Sequence, residues 1–564
     1  MSSRTRANVT NTLPALFPGT FPGSDDDLDL PPLTARTEQQ ITDLLGSGDF
    51  DAWSEALARV GNCAQPIRLR GRSETIDTGT GEIVATYSSE QEPLGVTHVR
   101  CGNRRASVCP SCSRLHAADT FQLIRAGVAG GKTVPTSVAE NPLVFATVTA
   151  PSFGTVHGHR DRGRRCRPHT RGRDNHRGRC EHGRPTNCHA RHGEDDPNMG
   201  EPLCGECYDY ASHVVWQWWA PDLWRRFTIT LRRLVAKTLG VPASRLAEVA
   251  TVQYAKVAEY QLRGVVHFHA LVRLDGPRTP DGFAPAPAAV DADTLAELVR
   301  QSAASVRLTV PGVDVDDPSR MLVFGRQVDV RPVRTSRRTD DPARSLSPEQ
   351  VAGYLAKYAT KSVEDTGATA TPHHRRIRAT AHRLADRAST AAQGRGEPES
   401  PYELLDKWVH MLGFRGHFGS KSRRYSITLR ALRRARRRAQ ALIAESRAEG
   451  RPLDLAALEA DLLADDDTET TLVFGQWHYL GSGWSTDGQR VLATAAAARA
   501  REYDQFKAQL RRQNAATEQG SSGVSRHWLM ACWSATRPRR TFSRMDSTVA
   551  VQMNGLGWSL LAAR

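Results

Sequence analysis

An alternation of polar and apolar side chains over residues 252–274 predicts a β-hairpin. Both arms are rich in β-branched and aromatic residues, and Arg263 and Gly264 between them suit a tight turn. Successive side chains of a strand point to opposite faces, so His267 and His269 share one face of the second arm. The opposite face carries Val266, Phe268, Ala270 and Val272. The pattern therefore predicts two parallel imidazoles on one side of a sheet.

Two imidazoles at this spacing can hold one divalent cation and leave part of its coordination sphere open. The first arm of the hairpin brings Glu259 or Gln261 close to the pair, and the Glu259 carboxylate would supply a third, oxygen ligand. Half-buried strand histidines without a metal are the alternative for this pair considered alone. We expect a Mg²⁺ or Mn²⁺ site at His267, His269 and Glu259.

A second pattern, of helical period, begins near residue 347. Ser347, Pro348 and Gln350 are typical of a helix start. The i, i+3, i+4, i+7 spacing then places four side chains on one face: Tyr354, Lys357, Tyr358 and Lys361. Two tyrosines at this spacing usually pack in a core, but an apolar core does not accept two unpaired lysines. The face suits attack on a phosphodiester by a tyrosine, with the lysines stabilising the charge.

Together these motifs resemble those of the HUH endonucleases, and more closely the rolling-circle replication initiators of actinobacterial plasmids and integrative elements. The His267-Phe268-His269 strand and the Tyr354-x-x-Lys357-Tyr358-x-x-Lys361 helix occur in that family's order, and residues 145–151 (FATVTAP) are similar to its first motif. The two-tyrosine form also resembles the gene A proteins of small single-stranded DNA phages. The similarity extends from about residue 63 to about residue 508.

The resemblance implies an α+β fold, with an antiparallel HUH endonuclease sheet flanked by helices. It also implies that a tyrosine attacks plasmid or integrative-element origin DNA, leaving a 5′-phosphotyrosyl link and a free 3′-OH. A host polymerase would extend that end, and a host helicase is a further expected partner. Relatives with a single tyrosine keep the position of Tyr358. We therefore expect Tyr358 to attack first and Tyr354 to close the circle after one round.

Ten cysteines in a long chain without an apolar signal segment favour metal sites over disulfides. A CxxC pair with two distal cysteines suits tetrahedral structural zinc: Cys63, Cys101, Cys109 and Cys112. Buried cysteines without metal are the alternative. An insertion over residues 155–210 has more candidates than one zinc needs, Cys166 and His182 among them, so one ion or two are open there. Its most closely spaced set is Cys188, His192, Cys204 and Cys207, with Cys180 as an alternative.

The net charge of +15 favours a polyanionic partner. No apolar run reaches the roughly 18 residues of a transmembrane helix, so we expect no membrane partner. Residues 1–12 lack an apolar signal core, which makes the cytoplasm the expected location.

At 564 residues the chain should form several domains. We expect a flexible leader (1–45), a zinc module (46–140), the nicking domain (141–375), a linker (376–400), a basic helical DNA-contacting unit (401–512) and a variable tail (513–564). Residues 413–425 of the basic unit combine glycine turns, aromatic rings and cations, which suits contact with DNA. Residues 216–240 should form a core helix, broken at Pro221.

Two other functions compete with a replication nickase. A conjugative relaxase or a transposase uses the same site chemistry, although histidine-pair relaxases usually show three clustered histidines and this chain shows two. A zinc-containing DNA-binding regulator without catalysis would explain the cysteines and the basic charge. It would leave the two histidines and the tyrosine–lysine helix without a role. We therefore predict a metal-dependent, strand-specific DNA endonuclease.

Overall fold

The computed structural model describes residues 33–132, 134–159, 165–167, 178–193, 196–280, 282–333, 348–359, 371–395, 400–450 and 471–521. The chain divides into two compact units, one formed by Asp119–Leu432 and the other by Met1–Ala118 with Arg433–Arg564. Both units combine helices with antiparallel sheets, which confirms the α+β class. Among the described helices, none has the length and apolar character needed to cross a bilayer.

The described helices are α1 (Ala35–Gly46), α2 (Phe50–Arg59), α3 (Pro110–Ala129), α4 (Tyr210–Thr238), α5 (Ala292–Ser305), α6 (Pro348–Ala359), α7 (Pro372–Arg395), α8 (Leu429–Ala448) and α9 (Asp487–Ser521). The described strands are β1 (Ile67–Asp77), β2 (Ile83–Ser88), β3 (Thr97–Val99), β4 (Leu143–Val148), β5 (Thr251–Tyr260), β6 (Val266–Asp275), β7 (Arg278–Thr279), β8 (Gly282–Phe283), β9 (Leu308–Val310), β10 (Arg320–Leu322), β11 (Val328–Pro332), β12 (Gly419–Lys421) and β13 (Thr471–Ser482).

The unit Asp119–Leu432 is built on a five-stranded sheet. Its strand order is β11-β4-β6-β5-β12, and all neighbours are antiparallel. The two arms of the predicted hairpin are β5 and β6, at the centre of this sheet. The segment similar to the family's first motif contributes β4, which pairs with β6 on its other side. The predicted hairpin is therefore confirmed, with a loop of three residues, 262–264, where a turn at Arg263 and Gly264 was expected.

One face of the sheet packs on α4. Phe268 and Ala270 of β6 lie in the same core cluster as Trp224 and Phe227 of the helix, and all four side chains are buried. The helix continues through Pro221, so the predicted break there is wrong. A proline in a helix removes one backbone hydrogen bond, and burial of the neighbouring aromatic side chains offsets that loss.

The other face of the sheet is covered by α6. Leu271 of β6 packs in one cluster with Val351, Ala352 and Leu355 of this helix. Because side chains alternate along β6, Leu271 shares its face with the two histidines. The predicted helix is therefore present from Pro348 to Ala359 and lies on the histidine side of the sheet.

The linker predicted over residues 376–400 is a helix for most of its length, α7. Its small and apolar side chains recur every three or four residues and are buried: Ile377, Ala381, Leu384, Ala385 and Ala388. Charged residues dominate the remaining positions. The composition of the segment therefore predicted a linker, although its narrow apolar stripe is typical of a helix. The linker prediction is therefore wrong for residues 376–395.

The second unit joins the two ends of the chain. Strand β13 pairs with β1 along its whole length, and β2 and β3 pair with β1, in a four-stranded sheet. Beside it, Trp53 packs edge-on against Trp484, with Ile41 and Leu44 of α1 in the same cluster. The leader predicted over residues 1–45 is therefore helical from Ala35 onward, because α1 has an apolar face to bury. Residues 1–32 lie outside the described residues.

The aromatic rings of residues 413–425 lie in the core, whereas His417, Arg423 and Arg424 are exposed. The rings of Phe414 and Tyr425 are fully buried. Arg415 pairs with Asp222 at 2.5 Å and packs over the Trp218 ring. The segment also contributes β12, an edge strand of the five-stranded sheet. The prediction of DNA contact is therefore wrong for the rings of Phe414 and Tyr425, because Phe414 packs in the cluster that contains α4 and Tyr425 packs in the cluster that contains α6.

Candidate metal and nucleophile site

The β5–β6 hairpin places three metal-ligand side chains opposite one another. Glu259 of β5 pairs directly with His267 of β6. The turn is closed by a hydrogen bond from the Gln261 amide to the Val265 carbonyl, at 2.9 Å. Gly264 has a φ of +76°, a conformation that side chains disfavour. The tight turn thus fixes the register that brings the carboxylate to the imidazoles.

The three ligand atoms converge on one point. Glu259 Oε2 lies 2.9 Å from His267 Nε2 and 3.0 Å from His269 Nε2, and the two nitrogens are 3.1 Å apart. Octahedral bonds of about 2.1 Å would place neighbouring ligand atoms roughly 3.0 Å apart. The donor set therefore fits one divalent cation. Gln261, the other candidate ligand, instead accepts a hydrogen bond from Arg263 Nε at 2.8 Å.

The two histidines determine the charge of the Glu259 carboxyl group. Burial raises the pKa of the Glu259 carboxyl, but hydrogen bonds from His267 and His269 outweigh burial and lower that pKa to about 2. The carboxylate is therefore ionised at neutral pH, as a metal ligand must be. His269 is nearly buried, whereas His267 and Glu259 keep partial access to solvent. That access leaves room for a substrate oxygen.

Two side chains of strand β4 contact the His269 ring and fix its orientation. Thr147 pairs with His269 across the strands, and its Oγ1 lies 3.0 Å from His269 Nδ1. The Phe145 ring stacks on the same imidazole, with centroids 5.8 Å apart and planes inclined by 6°. A partner on Nδ1 directs the lone pair of Nε2 toward the metal position. The sequence identified residues 145–151 only as a motif. The structure adds that Thr147 contacts His269, one of the three candidate metal ligands.

Helix α6 brings Tyr354 to the triad. Its ring lies edge-on to His269, with centroids 5.2 Å apart, and edge-on to Phe145 at 5.7 Å. The Tyr354 side chain is 39% exposed, so its hydroxyl is not sealed in the core. Lys357 is exposed on the same helix. Tyr358 lies in the helix but its side chain is outside the described residues, as is all of Lys361, so the roles predicted for these two residues stay predictions.

The four cysteines of the predicted N-terminal zinc module also come together. Cys63 Sγ lies 3.7 Å from Cys109 Sγ and 3.6 Å from Cys112 Sγ, and Cys101 completes the group. Zinc–sulfur bonds of about 2.3 Å at tetrahedral angles separate neighbouring sulfurs by roughly 3.8 Å. The Cys101 amide donates to Cys63 Sγ, a contact that stabilises a thiolate. The donor set fits one zinc ion.

The insertion separates its ligands into two groups. Cys188 and His192 lie with His157 and Cys166, whereas Cys204 and Cys207 lie with Cys180 and His182. The most closely spaced set along the sequence, Cys188, His192, Cys204 and Cys207, is therefore not one site. Distance along the chain is a poor guide here, because turns in the described part of the insertion bring distant residues together. His157, at the start of the insertion, is the ligand candidate that the sequence analysis missed.

The comparisons with known proteins agree on one family. A family model described as RepSA, replication initiator protein, pSAM2, matches residues 49–498. A replication initiator protein of Streptomyces ambofaciens is 41% identical over 457 residues, which covers 80% of this chain and 90% of that relative. No solved structure matches the chain.

Proposed function

Because this chain belongs to the RepSA family of replication initiator proteins, we propose that it starts replication by nicking one strand of plasmid or integrative-element origin DNA through tyrosine transesterification. The observation that carries the proposal is the contact between the Tyr354 ring and His269 of the His267–His269–Glu259 triad. A phenol beside three converging metal ligands supplies the nucleophile and the Lewis acid for metal-assisted phosphodiester cleavage. The HUH type of the fold belongs to the same proposal.

Glu259, His267 and His269 would hold Mg²⁺ or Mn²⁺, whose chemistry at this position is that of a Lewis acid toward the scissile phosphate. The chain's own residues do the remaining work. Thr147 and Phe145 hold His269 in one orientation, and the buried side of α6 fixes the helix that presents the tyrosines. Exposed Lys357 adds positive charge beside the phenol, where a phosphodiester would bind.

In the cleavage step, the tyrosine oxygen forms a bond to phosphorus while the bond from phosphorus to the 3′ oxygen breaks. The phenol loses its proton and the leaving 3′ oxygen gains one, so the products are a 5′-phosphotyrosyl link and a free 3′-OH. The step exchanges one phosphoester bond for another of similar energy. The reverse step can therefore join the 5′-phosphoryl end to a 3′-OH. Two tyrosines one helical turn apart suit one cleavage and one joining, with Tyr358 initiating.

The four-cysteine cluster is proposed to hold structural zinc. Cys109 and Cys112 stand at the start of α3, and the Trp484 indole donates to the Cys63 carbonyl at 3.0 Å. The ion would tie the loop of Cys63 to that of Cys101 in a unit whose apolar cluster is small. Host helicase and polymerase are the proposed protein partners, since the proposed nick leaves a free 3′-OH that needs extension.

The test is a nicking assay on supercoiled plasmid that carries the cognate origin, with Mn²⁺ or Mg²⁺ and with chelator. The expected result is an open circle and a covalent protein–DNA adduct, both dependent on metal. Origin binding without any cleavage would instead establish a non-catalytic regulator. A relaxase or a transposase has the same chemistry, and the family match favours the initiator. Plasmid replication in a host lacking transfer functions separates these alternatives.

A further inference from the structure

The ligand groups of the insertion are distinct in space and each is complete. Every described cysteine belongs to one of three four-ligand groups, and two of these lie in the insertion. In each group the ligand atoms all lie within 4.8 Å of one another. Four Cys and His donors at such distances are the ligand set of a closed structural zinc site.

The first insertion group consists of His157, Cys166, Cys188 and His192. Cys188 Sγ lies 3.4 Å from His192 Nε2, and His157 Nδ1 lies 3.0 Å from the same nitrogen. Zinc bonds of about 2.3 Å to sulfur and about 2.0–2.1 Å to nitrogen separate tetrahedral ligand atoms by roughly 3.3–3.8 Å. The first distance lies in that range, and the second is slightly shorter.

The surroundings of this group prepare it for a cation. His192 Nδ1 lies 2.7 Å from Asp196 Oδ2, which leaves Nε2 as the metal-facing nitrogen. A carboxylate behind a histidine is the usual outer partner of a zinc ligand. The Gly158 amide donates to Cys166 Sγ at 3.3 Å. Paired backbone hydrogen bonds between residues 167 and 188 hold the two cysteine-bearing segments side by side.

The second insertion group consists of Cys180, His182, Cys204 and Cys207. Cys180 and His182 lie on a turn in which the Gly183 amide donates to the Cys180 carbonyl at 2.9 Å. Cys204 and Cys207 form a CxxC pair just before α4. His182 Nδ1 lies 3.3 Å from Cys207 Sγ, at the lower end of the tetrahedral range. Three thiolates and one imidazole complete this set.

The described part of the insertion has no apolar core that would fold it without metal. Between residues 155 and 210, the buried hydrophobic side chains of the described part are Cys166, Cys204 and Tyr208, and the two cysteines are ligand candidates. A segment of this size that buries so little apolar surface needs another source of folding free energy. Metal binding supplies it, because a zinc site absent from the unfolded chain contributes its binding energy to folding.

The insertion also packs on the turn that joins the two ligand strands of the candidate nicking site. A Cβ added to Gly200 would lie 2.5 Å from the Leu262 carbonyl carbon, so the backbones are in close contact. Glu206, between Cys204 and Cys207, pairs with Arg376 of α7 at 3.0 Å. The folded insertion thus supports the hairpin that carries Glu259 and His267.

We propose that the insertion binds two zinc ions, one at His157, Cys166, Cys188 and His192 and the other at Cys180, His182, Cys204 and Cys207, and that these ions hold the hairpin turn in place. The ligand assignment is independent of catalysis. The support of the hairpin rests on the proposed nicking function.

Zinc counting on the purified full-length chain tests the assignment. Wild type should contain three zinc ions per chain, including the four-cysteine site. One double variant, Cys166→Ser with Cys188→Ser, should lose one ion. A second double variant, Cys204→Ser with Cys207→Ser, should lose a different ion. The variant that combines all four substitutions should lose two. Cys532→Ser changes the one cysteine outside the described residues and should lose none.

A single ion shared by Cys188, His192, Cys204 and Cys207 gives a different result. Both double variants would then lose the same ion and the combined variant no more, which would overturn the proposal. The milder His157→Ala, compared with His189→Ala at an exposed position of the insertion, keeps the test decisive where double variants fold poorly. His157→Ala should release one ion to a weak chelator at least tenfold faster, and equal release from both variants would remove His157 from the site. Neither readout requires DNA, so a failure of nicking leaves the zinc result intact.

Discussion

Glu259 and His267 face each other across the β5–β6 hairpin, with Glu259 Oε2 2.9 Å from His267 Nε2. The contact joins an anionic oxygen to an imidazole that is two residues from a second imidazole on the same face. The backbone pairing of the two strands sets this distance, so the site exists before any substrate binds.

Glu259→Gln should weaken metal binding, because the amide keeps the size of the side chain but removes its charge. We expect the Mn²⁺ concentration needed for half-maximal nicking to rise at least tenfold. Gln261→Ala is the matched control, since Gln261 bonds to Arg263 rather than to the triad. An equal rise in both variants would mean that the carboxylate is not a ligand.

His267→Ala combined with His269→Ala should lower the nicking rate by about 100-fold or more, since a metal contributes several kcal/mol to such a reaction. Binding to origin duplex should change little. The exposed His410→Gln serves as control. Nicking at the wild-type rate by the double variant in chelator would contradict the metal assignment.

Thr147→Val should act through His269. Valine keeps the shape of threonine but leaves His269 Nδ1 without its partner at 3.0 Å, and such partners typically affect metal affinity by about 10- to 100-fold. The Mn²⁺ requirement should therefore rise, with nicking restored at high Mn²⁺. Thr147→Ser retains the hydroxyl and should behave as wild type. Loss of nicking that no Mn²⁺ concentration restores would indicate a structural role only.

Substitution of each tyrosine should affect a different step of the proposed reaction. Tyr358→Phe should lose most covalent DNA attachment, whereas Tyr354→Phe should cleave once and fail to release a closed circle. A strand labelled on the 3′ side of the nick, denaturing gels and mapping of the linked peptide provide the readout. A peptide that contains Tyr354 alone would reverse the order of attack. A peptide with neither tyrosine would exclude the proposed mechanism.

His374 should make stability depend on pH. Burial lowers its pKa to about 3, while an unfolded histidine has a pKa of about 6.5. The unfolded chain therefore binds the proton first, and stability is lost as the pH falls below about 6.5. At pH 5 the loss from this side chain is about 2 kcal/mol. His374→Gln should narrow the difference in melting temperature between pH 7 and pH 5, and His410→Gln should leave it unchanged.

The sequence by itself determined the local geometry of the candidate site. A strand alternates with period two whatever its surroundings, so His267 and His269 had to share a face. A turn signal between two apolar runs predicted the hairpin, but the register that places Glu259 opposite His267 comes from the three-residue loop 262–264. Helical spacing likewise predicted α6. These are properties of the backbone over a few residues, and they do not depend on what packs against them.

Only the tertiary structure decided which elements meet. It placed α6 on the histidine face, so that Tyr354 contacts His269, and it sorted the ligands of the insertion into two groups. It also paired β1 with β13, and it made a helix of residues predicted to be a linker. Such pairings depend on the apolar area that each element buries against distant parts of the chain. That area follows from the packed arrangement of the whole unit, and no local pattern specifies it.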